Sequence, residues 1–156
     1  MAVKPIPDNY RRITPYLVVQ GAEKAIEFYT QLFGLTETMR MVGPDGRIGH
    51  AELQIGDSTI MLADEFPEMD IRGPKSLGGS PVSLLIYVTD VDTTFPKAIA
   101  AGSEIKRPIQ NQFYGDRSGT LTDPFGHTWT IATRIENIAT DEMQRRGEEF
   151  MKQEMK

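Results

Sequence analysis

Two side chains capable of acid–base chemistry stand two positions apart in an alternating segment. His50 and Glu52 lie within Gly46–Asp57, where apolar and polar residues alternate as in a half-buried β-strand. Successive side chains of a strand point to opposite faces, so these two share one face. Such a pair could act as acid and base or could supply two metal ligands. Alternatively, His50 only forms a hydrogen bond across a cavity on this face, and Glu52 pairs with an arginine such as Arg117.

The chain before this segment predicts a strand and a helix that would position the pair. Tyr16–Val19 is a short β-type run, and Ala22–Phe33 carries its apolar residues at helical spacing until Gly34 ends the pattern. The face of the first strand that packs on this helix is predicted from period-2 alternation to carry Ile13, Leu17 and Val19. The opposite face then carries Thr14 and Tyr16.

The same order of elements repeats later in the chain. Leu85–Val88 is a second β-type run, and Val19 and Val88 are 69 positions apart. The same offset carries Ile60-Met61 onto Trp129-Thr130, so the register persists to the end of each unit. Repeated order at a constant offset indicates two copies of one supersecondary unit.

The second copy predicts a helix and a turn of its own. Asp92 is suited to cap the helix, which would place Pro96 in its first turn, and Gly102 would end it. His127, after the turn Asp123–Gly126, is interpreted as a turn residue. The predicted organisation is a single domain with module 1 at about residues 10–64, an exposed linker at 65–81, module 2 at about 82–134 and a C-terminal helix at about 140–155.

The outward face of each predicted sheet mixes apolar and polar side chains. A face washed by solvent would carry more Lys, Glu and Arg, whereas a ligand cavity combines apolar walls with a few polar groups. Cover by another subunit is the alternative, and both can hold together. The predicted ligand contacts are Thr14, Tyr16, His50, Glu52, Met61, Ser83, Tyr87, Phe113, Tyr114, Arg117 and Thr130.

Composition excludes several classes of function. The formal net charge of -5 argues against nucleic-acid binding, which favours a basic surface. The chain has no cysteine, which removes disulfides and thiolate metal sites. An apolar run of about 20 residues, as a membrane span needs, is not found, and neither is a secretory signal. We therefore expect a cytoplasmic protein that binds neither nucleic acid nor membranes.

Several segments together resemble the vicinal oxygen chelate superfamily, which includes glyoxalases, bleomycin-resistance proteins and dioxygenases, and its PhnB-like branch in particular. The resemblance covers about Tyr10–Phe150. It implies an α+β fold of two paired βαβββ modules that form a half-open β-barrel with a ligand cavity, usually in a homodimer. The segments that carry it are Ile13–Val19, Ala25–Tyr29, Phe33-Gly34, Gly49–Leu53, Asp123–Trp129 and Ile135–Arg146.

The resemblance also implies where a metal would bind. The superfamily's metal enzymes use the first and last strands of each module, and those positions here hold Thr14, Met61, Ser83 and Thr130. Hydroxyls and a thioether are poor ligands for zinc, nickel or iron. We therefore predict no metal and no cofactor.

Two functions remain open from the sequence. The first is a small-molecule-binding protein of the bleomycin-resistance type that sequesters an aromatic or amphipathic ligand. The alternative is a lyase, dioxygenase or transferase-like enzyme acting on a small oxygenated substrate, with His50 and Glu52 as acid–base groups or metal ligands. A homodimer is predicted in either case, because Met143, Phe150 and Met151 form an apolar stripe on the C-terminal helix, although the same stripe could pack within its own chain.

Overall fold

The computed structural model describes residues 2–155. Its first part contains β1 (Tyr16–Val19), α1 (Ala22–Phe33), β2 (Thr36–Val42), β3 (Ile48–Ile55), β4 (Ser58–Asp64), a 3-10 turn (Pro67–Met69) and a short helix α2 (Pro74–Leu77). The second part contains β5 (Ser83–Tyr87), α3 (Val91–Ala100), β6 (Glu104–Asn111), β7 (Asp116–Thr122), β8 (Thr128–Arg134) and α4 (Thr140–Glu154). Each part repeats the order βαβββ.

Each module forms one four-stranded mixed sheet. The strand orders are β1-β4-β3-β2 and β5-β8-β7-β6, with the first strand of each module parallel to the last and the other pairs antiparallel. Helix α1 packs on the first sheet and α3 packs on the second. The predicted α+β class, the two βαβββ modules and the C-terminal helix are confirmed.

Helix α1 has the bounds that its periodicity predicted, and its N-terminus is held by a distant carboxylate. Gly21 takes φ +88°, and Asp64 Oδ1 accepts the backbone N–H of Ala22 at 2.8 Å. The second oxygen of Asp64 accepts the N–H of Ile48 at 2.7 Å. The carboxylate therefore satisfies a free helix N–H and ties β4 to β3.

The first sheet turns one face to α1. Leu17, Leu62 and Ala51 lie side by side across β1, β4 and β3, and all three are buried. The prediction that Ile13 joins this core was wrong, because Ile13 is 88% exposed. Strand β1 begins only at Tyr16, after Pro15, so the alternation does not extend back to Ile13 or Thr14.

The segment between the modules was predicted to be exposed throughout, but part of it packs on β1. Gly73 and Pro74 are buried, and Glu65 Oε1 accepts the N–H of Gly73 at 2.7 Å. A Cβ atom on Gly73 would lie 2.6 Å from the carbonyl oxygen of Val18. This close approach of two backbones requires a residue without a side chain.

Helix α3 differs from its prediction at its beginning. Asp90 caps it, accepting the N–H of Asp92 at 3.0 Å, so the helix begins at Val91. Pro96 consequently lies inside the helix and not in its first turn, as had been predicted. The helix packs through Phe95, whose ring lies over Gly119 of β7, where a Cβ atom would be 2.6 Å from the ring.

The chain divides into two units that do not follow the repeat strictly. The first unit ends at Pro81 but also includes Phe125–His127, the turn between β7 and β8. The Phe125 ring lies 5.9 Å from that of Phe28 and 6.1 Å from that of Tyr29. His127 is a turn residue, as predicted, and its Nε2 lies 3.0 Å from the carbonyl oxygen of Val18. In the part of the chain described, no helix is both long and apolar enough to span a bilayer.

Candidate functional site

A row of four side chains crosses the face of the first sheet that points away from α1. Strand pairing places Tyr16 beside Met61, Met61 beside Glu52, and Glu52 beside Met39. Each of the first three is next in sequence to a member of the core row, so it lies on the opposite face of the sheet. His50 lies two residues before Glu52 and shares this face, as the alternation predicted. We call this surface the first open face.

Four side chains on this face form one hydrogen-bonded chain. Tyr16 Oη lies 2.9 Å from His50 Nδ1, and His50 Nε2 lies 2.7 Å from Glu52 Oε2. Tyr10 Oη donates to the other carboxylate oxygen, Glu52 Oε1, at 2.5 Å. We call these residues, in the order Tyr16, His50, Glu52 and Tyr10, the Tyr–His–Glu–Tyr chain.

Glu52 is the electrostatic centre of this chain. Its side chain is buried, with 6% of the residue exposed, yet the hydrogen bonds from Tyr10 and then His50 hold its pKa below the ordinary value of 4.5, against the opposing effect of burial. The bond to Glu52 raises the pKa of Tyr10. Burial, and then the charge of Glu52, raise the pKa of Tyr16. The stable arrangement is therefore a carboxylate between protonated phenols.

The ionised carboxylate fixes the direction of the hydrogen bonds. A carboxylate only accepts, so His50 Nε2–H must donate to Glu52. In a neutral imidazole Nδ1 is then the acceptor, and it takes the hydrogen bond from the Tyr16 hydroxyl. The proton order is thus Tyr16 to His50 and His50 to Glu52.

The second sheet carries a different set of groups at matching positions. Pairing places Leu85 beside Thr130, Thr130 beside Thr120, and Thr120 beside Arg107. The hydroxyls of Thr120 and Thr130 lie 2.9 Å apart, and Gln112 donates to Ser118 at 3.2 Å. This is the second open face.

A cavity of about 510 Å³ lies on the second open face. Helix α4 contributes Phe150 and Glu154 to its wall. A separate, mainly apolar groove of about 620 Å³ runs along α4. Phe113 and Phe150 line this groove, with ring centroids 5.3 Å apart.

The predicted contact residues divide between these places. Tyr16, His50, Glu52 and Met61 come together on the first open face. In the second module, Tyr114 and Thr130 line the cavity, and Phe113 lines the groove. Ser83 and Tyr87 lie on β5, where Tyr87 Oη donates to Asp116 at 2.8 Å.

Two further predicted residues form hydrogen bonds close to their own elements. Thr14 lies before β1, where its hydroxyl donates to the carbonyl oxygen of Arg11 at 3.0 Å. Arg117 forms two hydrogen bonds of 2.9 Å to Asp92. The alternative pairing of Glu52 with Arg117 was therefore wrong. Arg117 pairs with Asp92 in the second module, and Glu52 forms its hydrogen bonds with Tyr10 and His50 in the first.

Sequence reasoning missed Tyr10. It lies in the N-terminal segment, which has no regular secondary structure, 42 positions before the carboxylate that it contacts. No periodicity links the two residues. A tyrosine ahead of the first strand was the single available signal, and it is a weak one.

The side chains at the positions implied for metal ligands do not suit a divalent metal. The Thr14 hydroxyl is bonded to Arg11, the Thr130 hydroxyl lies against Thr120, and Met61 offers a thioether. Within residues 2–155, no group of three or more His, Cys, Asp or Glu side chains is placed to hold a metal ion.

Comparisons with known proteins agree with this architecture. The profile of the Glyoxalase/Bleomycin resistance protein/Dioxygenase superfamily matches residues 11–131. The protein Mb0911c of Mycobacterium bovis is 42% identical over 135 residues, which is 85% of this chain and 89% of that protein.

Two solved structures share the fold. Protein PA1353 from Pseudomonas aeruginosa has a TM-score of 0.68 at 24% identity, covering 81% of this chain and 99% of its own. The PhnB protein of Bacillus cereus has a TM-score of 0.64 at 22% identity, covering 79% and 99%. The resemblance read from the sequence is confirmed: this chain belongs to the glyoxalase/bleomycin resistance protein/dioxygenase superfamily.

Proposed function

We propose that this protein binds a small aromatic or amphipathic molecule on its first open face and sequesters it without a metal. The observation that carries the proposal is the Tyr–His–Glu–Tyr chain, a polar network set among exposed apolar side chains. Ligand sites in proteins combine these same two components. Membership in the superfamily is compatible with this function, but the residues of the face supply the argument.

The apolar side chains of the face favour a flat ligand. Tyr16 on β1 is 48% exposed, and Met39 and Met41 on β2, at the other edge of the same sheet, are 43% and 60% exposed. Methionine side chains adapt to irregular apolar surfaces and form favourable contacts with aromatic rings. An aromatic ligand would cover apolar surface that otherwise faces water.

The polar side chains favour a neutral or cationic ligand. Glu52 is buried, and the hydrogen bonds from Tyr10 and His50 hold its pKa below 4.5, which favours the ionised carboxylate at neutral pH. The neighbours Met39 and Met61 supply no compensating positive charge. An anionic ligand would be repelled, whereas a cation or a hydroxyl group would gain from the carboxylate and the phenols.

Methionine methyl NMR tests this proposal directly. The chain contains eight methionines, of which Met39, Met41 and Met61 report on β2 and β4, and Met151 reports on the groove along α4. The probes are 1-naphthylmethylamine, 1-naphthylmethanol and 1-naphthoate, which share a ring system and differ in charge. We expect the amine and the alcohol to shift the methyl signals of Met39, Met41 and Met61.

Two variants sharpen the experiment. Glu52→Gln should weaken binding of the amine by about 1–3 kcal/mol, because it removes the negative charge while retaining the shape. Thr120→Val on the second open face is the matched control and should leave binding unchanged. Shifts confined to Met151, or tightest binding of naphthoate, would contradict the proposal.

The predicted homodimer stays a prediction. Phe150 and Met151 on α4 remain partly exposed, so each could contact a second subunit. Static light scattering at micromolar concentration checks it, and a monomeric mass would contradict it.

A further inference from the structure

The first open face contains an ordered path for a proton that binding alone does not need. Glu52, His50 and Tyr16 stand in the order carboxylate, imidazole, hydroxyl, with contacts of 2.7 and 2.9 Å. In such an arrangement the carboxylate fixes the tautomer of the imidazole, which can then accept the proton of the hydroxyl. The hydroxyl at the outer end belongs to Tyr16, a half-exposed residue that a bound molecule can reach.

We propose that Tyr16 is an acid–base catalytic residue that removes a proton from the carbon next to the carbonyl group of a bound, neutral aromatic ketone. This inference rests on the proposed binding function of the same face. It adds a keto–enol isomerisation that uses neither a metal nor a redox cofactor.

The step balances within the side chains present. The C–H proton of the ketone moves to Tyr16 Oη while the phenolic proton of Tyr16 moves to His50 Nδ1. The electron pair of the broken C–H bond forms the C=C bond of the enolate as the π pair of the carbonyl moves to the substrate oxygen, and the proton taken up by His50 offsets the negative charge that forms there. Tyr16 remains a phenol, and His50 becomes an imidazolium beside ionised Glu52. Tyr16 Oη then donates its proton to the substrate oxygen and takes one back from His50 Nδ1, which gives the enol and restores neutral His50.

The surroundings of His50 suit this role. Glu52 lies on the same strand, Tyr16 faces it from β1, and Met41, which is uncharged, pairs with it from β2. Tyr10 reaches the group only through Glu52, so Tyr10 and Glu52 are positioning residues. An imidazolium formed in the step is stabilised by the adjacent carboxylate.

The chemistry of the face limits the substrate. The buried carboxylate disfavours an anion, and Tyr16, Met39 and Met41 favour an aromatic ring. The relay moves only protons, so the substrate must carry an acidic proton. A carbonyl group next to a C–H bond supplies such a proton in a molecule without charge.

The test uses 2-tetralone, a flat neutral ketone, with the full chain in D₂O. Proton NMR follows the replacement of its C–H protons next to the carbonyl by deuterium, while methionine methyl shifts follow binding in the same sample. We expect the wild type to accelerate exchange about 100-fold over the Tyr16→Phe variant, the scale of general acid–base catalysis. Binding by Tyr16→Phe should stay within about threefold, since the ring is retained.

Three further variants separate catalysis from structure. His50→Gln should lose exchange to the same extent as Tyr16→Phe. The same loss in two different variants would not be expected from a folding defect in one of them. Glu52→Gln should change the pH profile of the exchange rate. If Glu52 had only a structural role, the shape of this profile would stay the same. Thr120→Val is the control on the second face and should exchange the ketone at the wild-type rate.

The outcomes distinguish this inference from the proposed function. Binding of 2-tetralone without accelerated exchange overturns the relay and leaves the binding function intact. Exchange that survives in Tyr16→Phe or in His50→Gln also overturns it. No binding of 2-tetralone overturns the substrate class, and the naphthalene probes then decide the binding function separately.

Discussion

The two open faces have the same framework and different chemistry. Met61 and Thr130 stand 69 positions apart, and each pairs with the neighbouring antiparallel strand, Met61 with Glu52 and Thr130 with Thr120. Two residues before Glu52 the first module has His50, and two residues before Thr120 the second module has Ser118. The backbone thus presents equivalent positions twice, and the side chains make one face an acid–base network and the other a set of hydroxyls.

The outer strands extend this contrast. Met39 pairs with Glu52 in the first sheet, and Arg107 pairs with Thr120 in the second. The buried anion thus has an apolar neighbour, whereas the neutral hydroxyl has a cationic one. A repeated fold can therefore offer two surfaces of different ligand preference, since fold and site are separable.

The largest expected effect is a loss of stability when a residue of the first open face is replaced. Glu52→Ala should lower the free energy of unfolding by about 2–3 kcal/mol at neutral pH, because it removes two hydrogen bonds to a buried charge. Urea denaturation measures this value, with circular dichroism as the readout. A loss below about 1 kcal/mol would show that the hydrogen-bonded carboxylate contributes no more to stability than a neutral hydrogen-bonded group. The two faces would then not differ energetically.

The second prediction concerns pH. Glu52 has a folded-state pKa below 4.5, so its stabilisation is present above that value and is lost as pH falls through the lower folded pKa. Wild type should therefore exceed Glu52→Gln by about 1 kcal/mol at neutral pH, and the difference should shrink in acid. Denaturation midpoints across a pH series measure it. A difference that grows on acidification would contradict the assignment of Glu52 as an ionised, hydrogen-bonded group.

The smallest expected effect belongs to the second face. Thr120→Val removes one neutral hydroxyl contact with Thr130, which is only partly buried, and should cost less than about 1 kcal/mol. The same denaturation series should show no change in this cost between neutral and acid pH, since neither hydroxyl titrates there. A pH-dependent cost would mean that the second face also contains a coupled charged group.

The sequence predicted the parts of the fold and site that depend on local pattern. Periodicity gave α1 its observed bounds, and alternation placed His50 and Glu52 on one face. Sequence pattern did not predict the contacts between segments that are distant along the chain. Tyr10 reaches Glu52 across 42 positions, and Arg117 binds Asp92, a residue of the α3 N-terminus. Such partners depend on tertiary packing, on which neither helical nor strand periodicity carries information.

Two elements, β1 and α3, begin at residues other than those predicted, and local chemistry explains both differences. Pro15 precedes β1, and the strand begins after it, which leaves Thr14 and Ile13 outside the sheet. Asp90 and Asp92 both suit a helix cap, and the structure uses the earlier one. Where two residues compete for one structural role, sequence pattern alone does not choose between them.

The turn Phe125–His127 bears on how the nascent chain folds. Proteins made on the ribosome commonly complete their N-terminal parts first. Here the ring of Phe125 that packs against Phe28 and Tyr29 is translated long after both, and after most of the second module. The first unit can therefore form these ring contacts only after residues 125–127 have been synthesised, so its last packing step follows the synthesis of most of the second module.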